Sequence, residues 1–145
     1  MRRPAPLPRA GIAGDFGPND HYQYYRYETG QFHIIPWDMD GTWDDTMANR
    51  SIFQNFQRLQ ISAIIQNNPE LRARYKEKIG QIINTSMLPV NVEPRIDFIY
   101  NQIRDAVYAD PYKQYTNEQF DWGPDSLKLF AQLRRQNLQV QIAQP

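Results

Sequence analysis

Apolar positions along this chain change their period once. From Tyr22 to Ile35 they follow the logic of strands; beyond Ser51 they recur every three to four residues. Tyr22–Tyr27 (YQYYRY) is rich in aromatics that favour a pleated surface, and Phe32–Ile35 is an apolar run. Between them Glu28-Thr29-Gly30-Gln31 offers a glycine that can take positive φ. Two short strand-like runs on either side of such a turn predict a β-hairpin. Pro36 has no N–H for a ladder, so the second strand ends there or lies at an edge. Upstream, Asp15–Asp20 (DFGPND) reads as a turn-rich loop.

The downstream pattern predicts four helices. Ser51 is placed to cap one carrying Ile52, Phe56, Leu59 and Ala63 on a single face. Asn68-Pro69-Glu70 combines a capping side chain, a proline at the first position and an acid at the positive end of the dipole. It opens a helix with Leu71, Tyr75, Ile79 and Ile82 on one side and a charged, solvated face opposite. Asn91-Val92-Glu93-Pro94 is expected to begin a third, with Val92, Ile96, Ile99, Ile103 and Val107 as its apolar stripe and Asp110-Pro111 as its stop. Thr116 to Gln119 resembles a capping box for a single turn. Gly123-Pro124-Asp125 is then expected to open the last helix, with Leu127, Phe130, Leu133 and Leu138. The fold expected is α+β, mostly α: a β-hairpin followed by four helices, with no repeat and no second domain.

Composition narrows the function classes. The 145 residues suit one domain, able to bury roughly 70% of its unfolded surface. Sixteen basic and sixteen acidic residues leave no net charge, so the basic footprint of a nucleic-acid binder is missing. With no cysteine, disulfide scaffolds and thiolate metal sites are excluded, although the compartment stays open. No apolar run approaches the ~18 residues of a membrane span. Residues 1–14 (MRRPAPLPRAGIAG) are basic and proline-rich without an apolar core, so they read as an extended lead-in and not as a signal peptide.

Phe32–Asp45 (FHIIPWDMDGTWDD) carries the candidate chemistry. Four carboxylates, Asp38, Asp40, Asp44 and Asp45, fall within a span of eight residues just past a strand end. Delivering Asp38 and Asp40 to one spot suits a hard divalent cation. Three readings compete. Asp38-Met39-Asp40-Gly41-Thr42 fits the DxDGT nucleophile motif of haloacid-dehalogenase-type phosphatases. That fold needs recurring buried strands between helices, and no strand-like run follows Thr46. A calcium loop beginning at Asp38 would need glycine where Trp43 stands and glutamate where Asn49 stands, so it is not supported.

The third reading uses the whole segment. Tyr24–Trp43 (YYRYETGQFHIIPWDMDGTW), Asn67–Thr85 (NNPELRARYKEKIGQIINT), Ile96–Pro111 and Leu127–Ile142 resemble the C-terminal part of the CotH family, the spore-coat protein H-type atypical protein kinases. The PWD hairpin is the most specific part. The resemblance implies a kinase-like C-lobe in which Asp38 takes the part of the metal-binding Asp. Asp40 would bind the same ion or support it. Asp15 would be the catalytic base in the upstream loop, with Asp20 as its alternative. The family's second metal-binding position, usually Asn, falls at Asp20-His21, so Asp20 is the candidate ligand there. Mg²⁺ or Mn²⁺ and ATP are the implied cofactors, and a protein of a coat or cell surface the implied substrate and setting. No glycine-rich phosphate loop or N-lobe lysine is visible, so residues 15–145 read as the C-terminal portion of such a domain. A catalytically inactive module of a coat assembly is the alternative.

The remaining polar and aromatic residues have simpler readings. Asp44 and Asp45 read as solvated or helix-starting acids. His21 and His33 are a loop and a strand-surface residue. Trp37 and Trp43 read as core anchors, the tyrosines as cross-hairpin packing, and Arg134-Arg135 as a surface pair.

Overall fold

A computed structural model describes residues 21–37, 43, 47–54 and 60–145. Its elements run β1 (His21–Arg26), β2 (Gln31–Pro36), α1 (Gln60–Asn67), α2 (Pro69–Ile83), α3 (Pro89–Ala109) and α4 (Asn117–Ala143). The expected order of one hairpin and four helices is therefore observed. Contacts group the chain into two compact units, residues 1–75 and 76–145, with the division inside α2.

In the first unit β1 and β2 pair antiparallel, from His21 opposite Pro36 to Arg26 opposite Gln31. The turn closes with Gly30 N–H donating to the Arg26 carbonyl at 2.9 Å. Gly30 sits at φ 65°, a conformation that costs a side-chain-bearing residue roughly 1–2 kcal/mol. Direct cross-strand partners Tyr25 and Phe32 bring their rings to 4.9 Å, and Tyr25 meets Tyr27 edge-on at 5.0 Å. Burial rises along β2 from exposed Gln31 to buried Ile35 and Pro36. Met47, Ala48 and Ile52 are the other buried residues described in this unit.

Ser51 does not start a helix. Its hydroxyl accepts from the Phe53 N–H at 3.2 Å, and Ile52 to Gln54 form a turn. That is the bond an N-cap makes, but the Gln54 N–H closes back on the Ser51 carbonyl at 3.1 Å, so the described residues 51–54 make a turn and not a helix. Phe56 and Leu59 lie outside the described residues. Ile52 is still anchored: its carbonyl accepts from the Tyr75 hydroxyl at 2.9 Å, and the Phe53 and Tyr75 rings are 5.8 Å apart. Asn68 acts as expected. Its Oδ1 accepts from the Leu71 N–H at 3.1 Å, capping α2 behind Pro69.

In the second unit Ile79, Ile83, Met87, Phe130, Ala131 and Leu138 form the buried apolar set. α4 packs against α2 at Gly80, where a Cβ would meet Ile142 Cδ1 at 3.6 Å, an ordinary van der Waals contact. Arg135 Nε donates to the Ile83 carbonyl at 2.9 Å, satisfying an acceptor in the last turn of α2. Arg134 is buried, with its guanidinium 3.5 Å from Asn137 Oδ1 among other contacts. The expected surface arginine pair is thus one buried residue and one residue that donates to a backbone carbonyl.

Two helix starts depart from expectation. α3 begins at Pro89, two residues before Asn91, because a proline at the first position already has helical φ. The Asn91 amide instead donates to the Thr85 carbonyl at 2.8 Å, and Pro94 lies inside the helix. α4 begins at the Thr116–Gln119 capping box, with both reciprocal hydrogen bonds formed, and continues for 27 residues through Gly123-Pro124. Tertiary contacts just before Pro124 hold the turn that the proline would weaken.

The stripe expected to bury α3 is only partly covered: Val92, Ile96 and Val107 are half-buried. No residue of α3 is fully buried, and Ile99 and Ile103 are exposed. α3 meets α4 through Asp97, Tyr100 and Tyr108. Apolar periodicity marked a face, but polar and aromatic pairs made the contact. No helix among the described residues is long and apolar enough to cross a membrane.

Candidate functional site

β2 is the element that leads to the acidic segment. Alternation along the strand puts His33, Ile35 and Trp37 on one face. Ile35 is buried, and Trp37, just beyond the strand end, meets Tyr22 edge-on with ring centroids 5.7 Å apart. Trp37 and Trp43 are 55% and 43% exposed, so the two expected core anchors lie at the surface. The Nε2 of His33 is buried without a hydrogen-bond partner among the described residues. His33 lies on the strand as expected, but one nitrogen is enclosed, and His21, expected in a loop, is the first residue of β1.

Asp15, Asp20, Asp38 and Asp40 all lie outside the described residues, as do Asp44 and Asp45. Among the described residues no group of three or more His, Asp or Glu is placed to hold a metal ion. The donor chemistry of the acidic segment still suits magnesium. It supplies carboxylate oxygens, and that ion is commonly held by one or two carboxylates together with phosphate oxygens.

A second polar constellation lies where α3 meets the start of α4. Tyr100 and Tyr108 each donate a phenolic hydrogen bond to Asp121, at 2.5 Å to Oδ1 and 2.6 Å to Oδ2. Arg104, one helical turn from each tyrosine, donates to the Tyr108 hydroxyl at 3.2 Å and lies 4.3 Å from the centre of its ring. Phe120 stacks on Tyr100 at 5.0 Å and on Tyr115 at 6.4 Å. Hydrogen bonds from Tyr100 and then Tyr108, with the nearby Arg104 charge, hold the Asp121 carboxyl below the usual carboxylate range. The same bonds to Asp121 push both phenols up. Lys128 pairs with Asp97 at 2.6 Å, and that bond raises the ammonium's pKa.

These groups satisfy one another and tie two helices together. Sequence reasoning passed over them. The available signal was Tyr100, Arg104 and Tyr108 at four-residue spacing, which places all three on one face of α3.

Comparison with known proteins identifies what the hairpin belongs to. A family model described as CotH kinase protein matches residues 12–138. The chain belongs to the CotH family. The matched range includes Asp15, Asp20, Asp38 and Asp40. A CotH relative, the inner spore coat protein H of Bacillus subtilis (strain 168), is 33% identical over 128 residues. That alignment covers 85% of this chain and 35% of the relative, so the chain spans about a third of that relative's length.

Proposed function

We propose that this chain is the metal-binding, C-terminal part of a CotH-type protein kinase. The intact enzyme transfers the γ-phosphoryl group of ATP to Ser or Thr of proteins in a spore coat or on a cell surface. The observation that carries this reading is the family match across 12–138, with Asp38 two residues past the end of a strand whose Ile35 is buried. Asp38 binds the divalent cation, Mg²⁺ or Mn²⁺, and Asp40 supports the same ion. Asp20 is the second ligand, at the position before the aromatic strand. Asp15 accepts the proton of the acceptor hydroxyl. The metal supplies charge neutralisation at the phosphates, the main requirement of phosphoryl transfer. The chain's own contribution is to fix where the carboxylates stand. The spore-coat setting is that of the Bacillus subtilis relative, an inner spore coat protein.

One observation favours a second reading, in which the chain is an inactive module of a coat assembly. Asp20-His21 stands where the family's metal-binding Asn is expected. Calorimetric titration with Mg²⁺ and ATP separates the two, with Asp38→Ala as the control. The kinase reading expects binding heat in the native chain and its loss in Asp38→Ala. Absence of heat in both proteins counts against a working site in this chain and leaves the module. Equal heat in both overturns the role given to Asp38.

A further inference from the structure

α4 carries a second apolar stripe that nothing described in its own unit covers. Trp122, Leu129, Leu133 and Val140 are 69%, 54%, 43% and 60% exposed. Their spacings of seven, four and seven place them within about 40° of arc. They lie well around the helix from the core side, where Phe130, Ala131, Arg134 and Leu138 are buried. With Ser126 and Gln136 filling the intervening places, the stripe has the alternating three- and four-residue steps of a heptad seam. It runs for about 27 Å along the helix axis.

The polar residues beside this seam are unusual for a solvated helix face. Ser126, Gln132, Gln136 and Gln139 are exposed and uncharged, and the exposed charge among them is Asp125. We infer that this face pairs with the same face of a second copy of the chain, as an antiparallel two-helix seam. That orientation sets Trp122 against Val140, Ser126 against Gln136, and Leu129 against Leu133. Every layer then matches apolar with apolar or polar with polar. It also places Asp125 opposite Asn137, so no like charges meet. Parallel pairing would lose the favourable opposition of the helix dipoles. Two faces of this length and one helix width bury together on the order of 1,000 Å², where specific interfaces begin. A seam of this size forms a reversible dimer whose occupancy rises with protein concentration. It stands independently of the kinase reading, since none of the proposed metal or base residues takes part.

The chain has no cysteine, which makes the register directly readable. Leu129→Cys and Leu133→Cys chains are mixed, oxidised gently, and compared with each variant alone. The mixed 129–133 disulfide is expected to form well ahead of 129–129 or 133–133. Equal or preferred like-with-like bridging overturns the antiparallel seam. Sedimentation equilibrium of the native chain is expected to show a monomer–dimer equilibrium. Leu133→Lys and, separately, Val140→Lys are expected to weaken it by roughly tenfold or more, with helical circular dichroism unchanged. A native chain that stays monomeric throughout the micromolar range overturns the inference. So does a monomer whose melting temperature falls in both Lys variants, because the stripe is then covered by the chain's own residues.

Discussion

Asp121 shows how a short carboxylate can do more for a fold than its exposure suggests. It lies in the first two turns of α4, accepts from two phenols on α3, and neighbours the Arg104 guanidinium. Its pKa is lowered in the folded chain. Its contribution is therefore fully present above the ordinary carboxyl pKa and is lost as pH falls through the depressed folded value. Tyr100 and Tyr108 behave oppositely, since their pKa values are raised. Their contribution is complete below the ordinary phenol pKa and is lost as pH rises through the raised values. Between these limits this cluster should leave stability flat. Urea midpoints measured from acid to neutral pH are expected to fall at the acid end in the native chain. In Asp121→Asn that acid limb should shrink and the neutral midpoint should drop. An identical acid limb in the variant would assign it to other carboxylates. The same cluster shows what a sequence conceals. Tyr100 and Tyr108 look like ordinary helix-surface residues until Asp121, in another element, is placed between them.

At the scale of elements, α4 is the instructive case. Gly123-Pro124-Asp125 has the local chemistry of a helix start, yet Thr116 is the true beginning. Phe120 and Asp121 are already fixed against α3, so the backbone reaches Pro124 in helical form and continues. Local signals compete with tertiary contacts, and here the tertiary contacts win. A consequence can be measured. Thr116→Ala removes the cap of the whole 27-residue helix and is expected to cost about 1 kcal/mol in urea unfolding. Asp125→Ala, in mid-helix, is expected to change the midpoint little. The reverse order would place the functional start of the helix at Gly123. Where a local signal met no competing contact, the sequence pointed to the right element. The hairpin needed Gly30 and two flanking runs, and α2 needed Asn68 and Pro69, all within a few residues. α3 was different: its residues Val92 to Val107 suggested a buried stripe, but the helix is held by polar and aromatic groups.

Across the whole molecule, the family and the fold class were legible in the order of elements and in the PWD hairpin. The candidate site was legible only as chemistry, because carboxylate spacing says which ion suits Asp38 and Asp40 but not where Asp15 or Asp20 stands. The second unit depends on a small apolar set, so each member matters. Ile83 is 1% exposed at the end of α2. Ile83→Ala is expected to lower unfolding free energy by about 2–5 kcal/mol, read as a shift in urea midpoint with little change in slope. A cost below ~1 kcal/mol would mean the site collapses around the missing atoms.

The hydrogen bond from Arg135 to the Ile83 carbonyl joins residues 52 apart. Lys76 donates to the Gln144 carbonyl at 2.5 Å across a separation of 68. During synthesis α2 therefore leaves the ribosome long before the residues that complete its last turns. It has to wait with Ile79 and Ile83 uncovered until α4 arrives. Residues 76–145 should then assemble as one late event and not helix by helix, and a ribosome that stalls before Arg135 would hold out an apolar surface for a chaperone to cover.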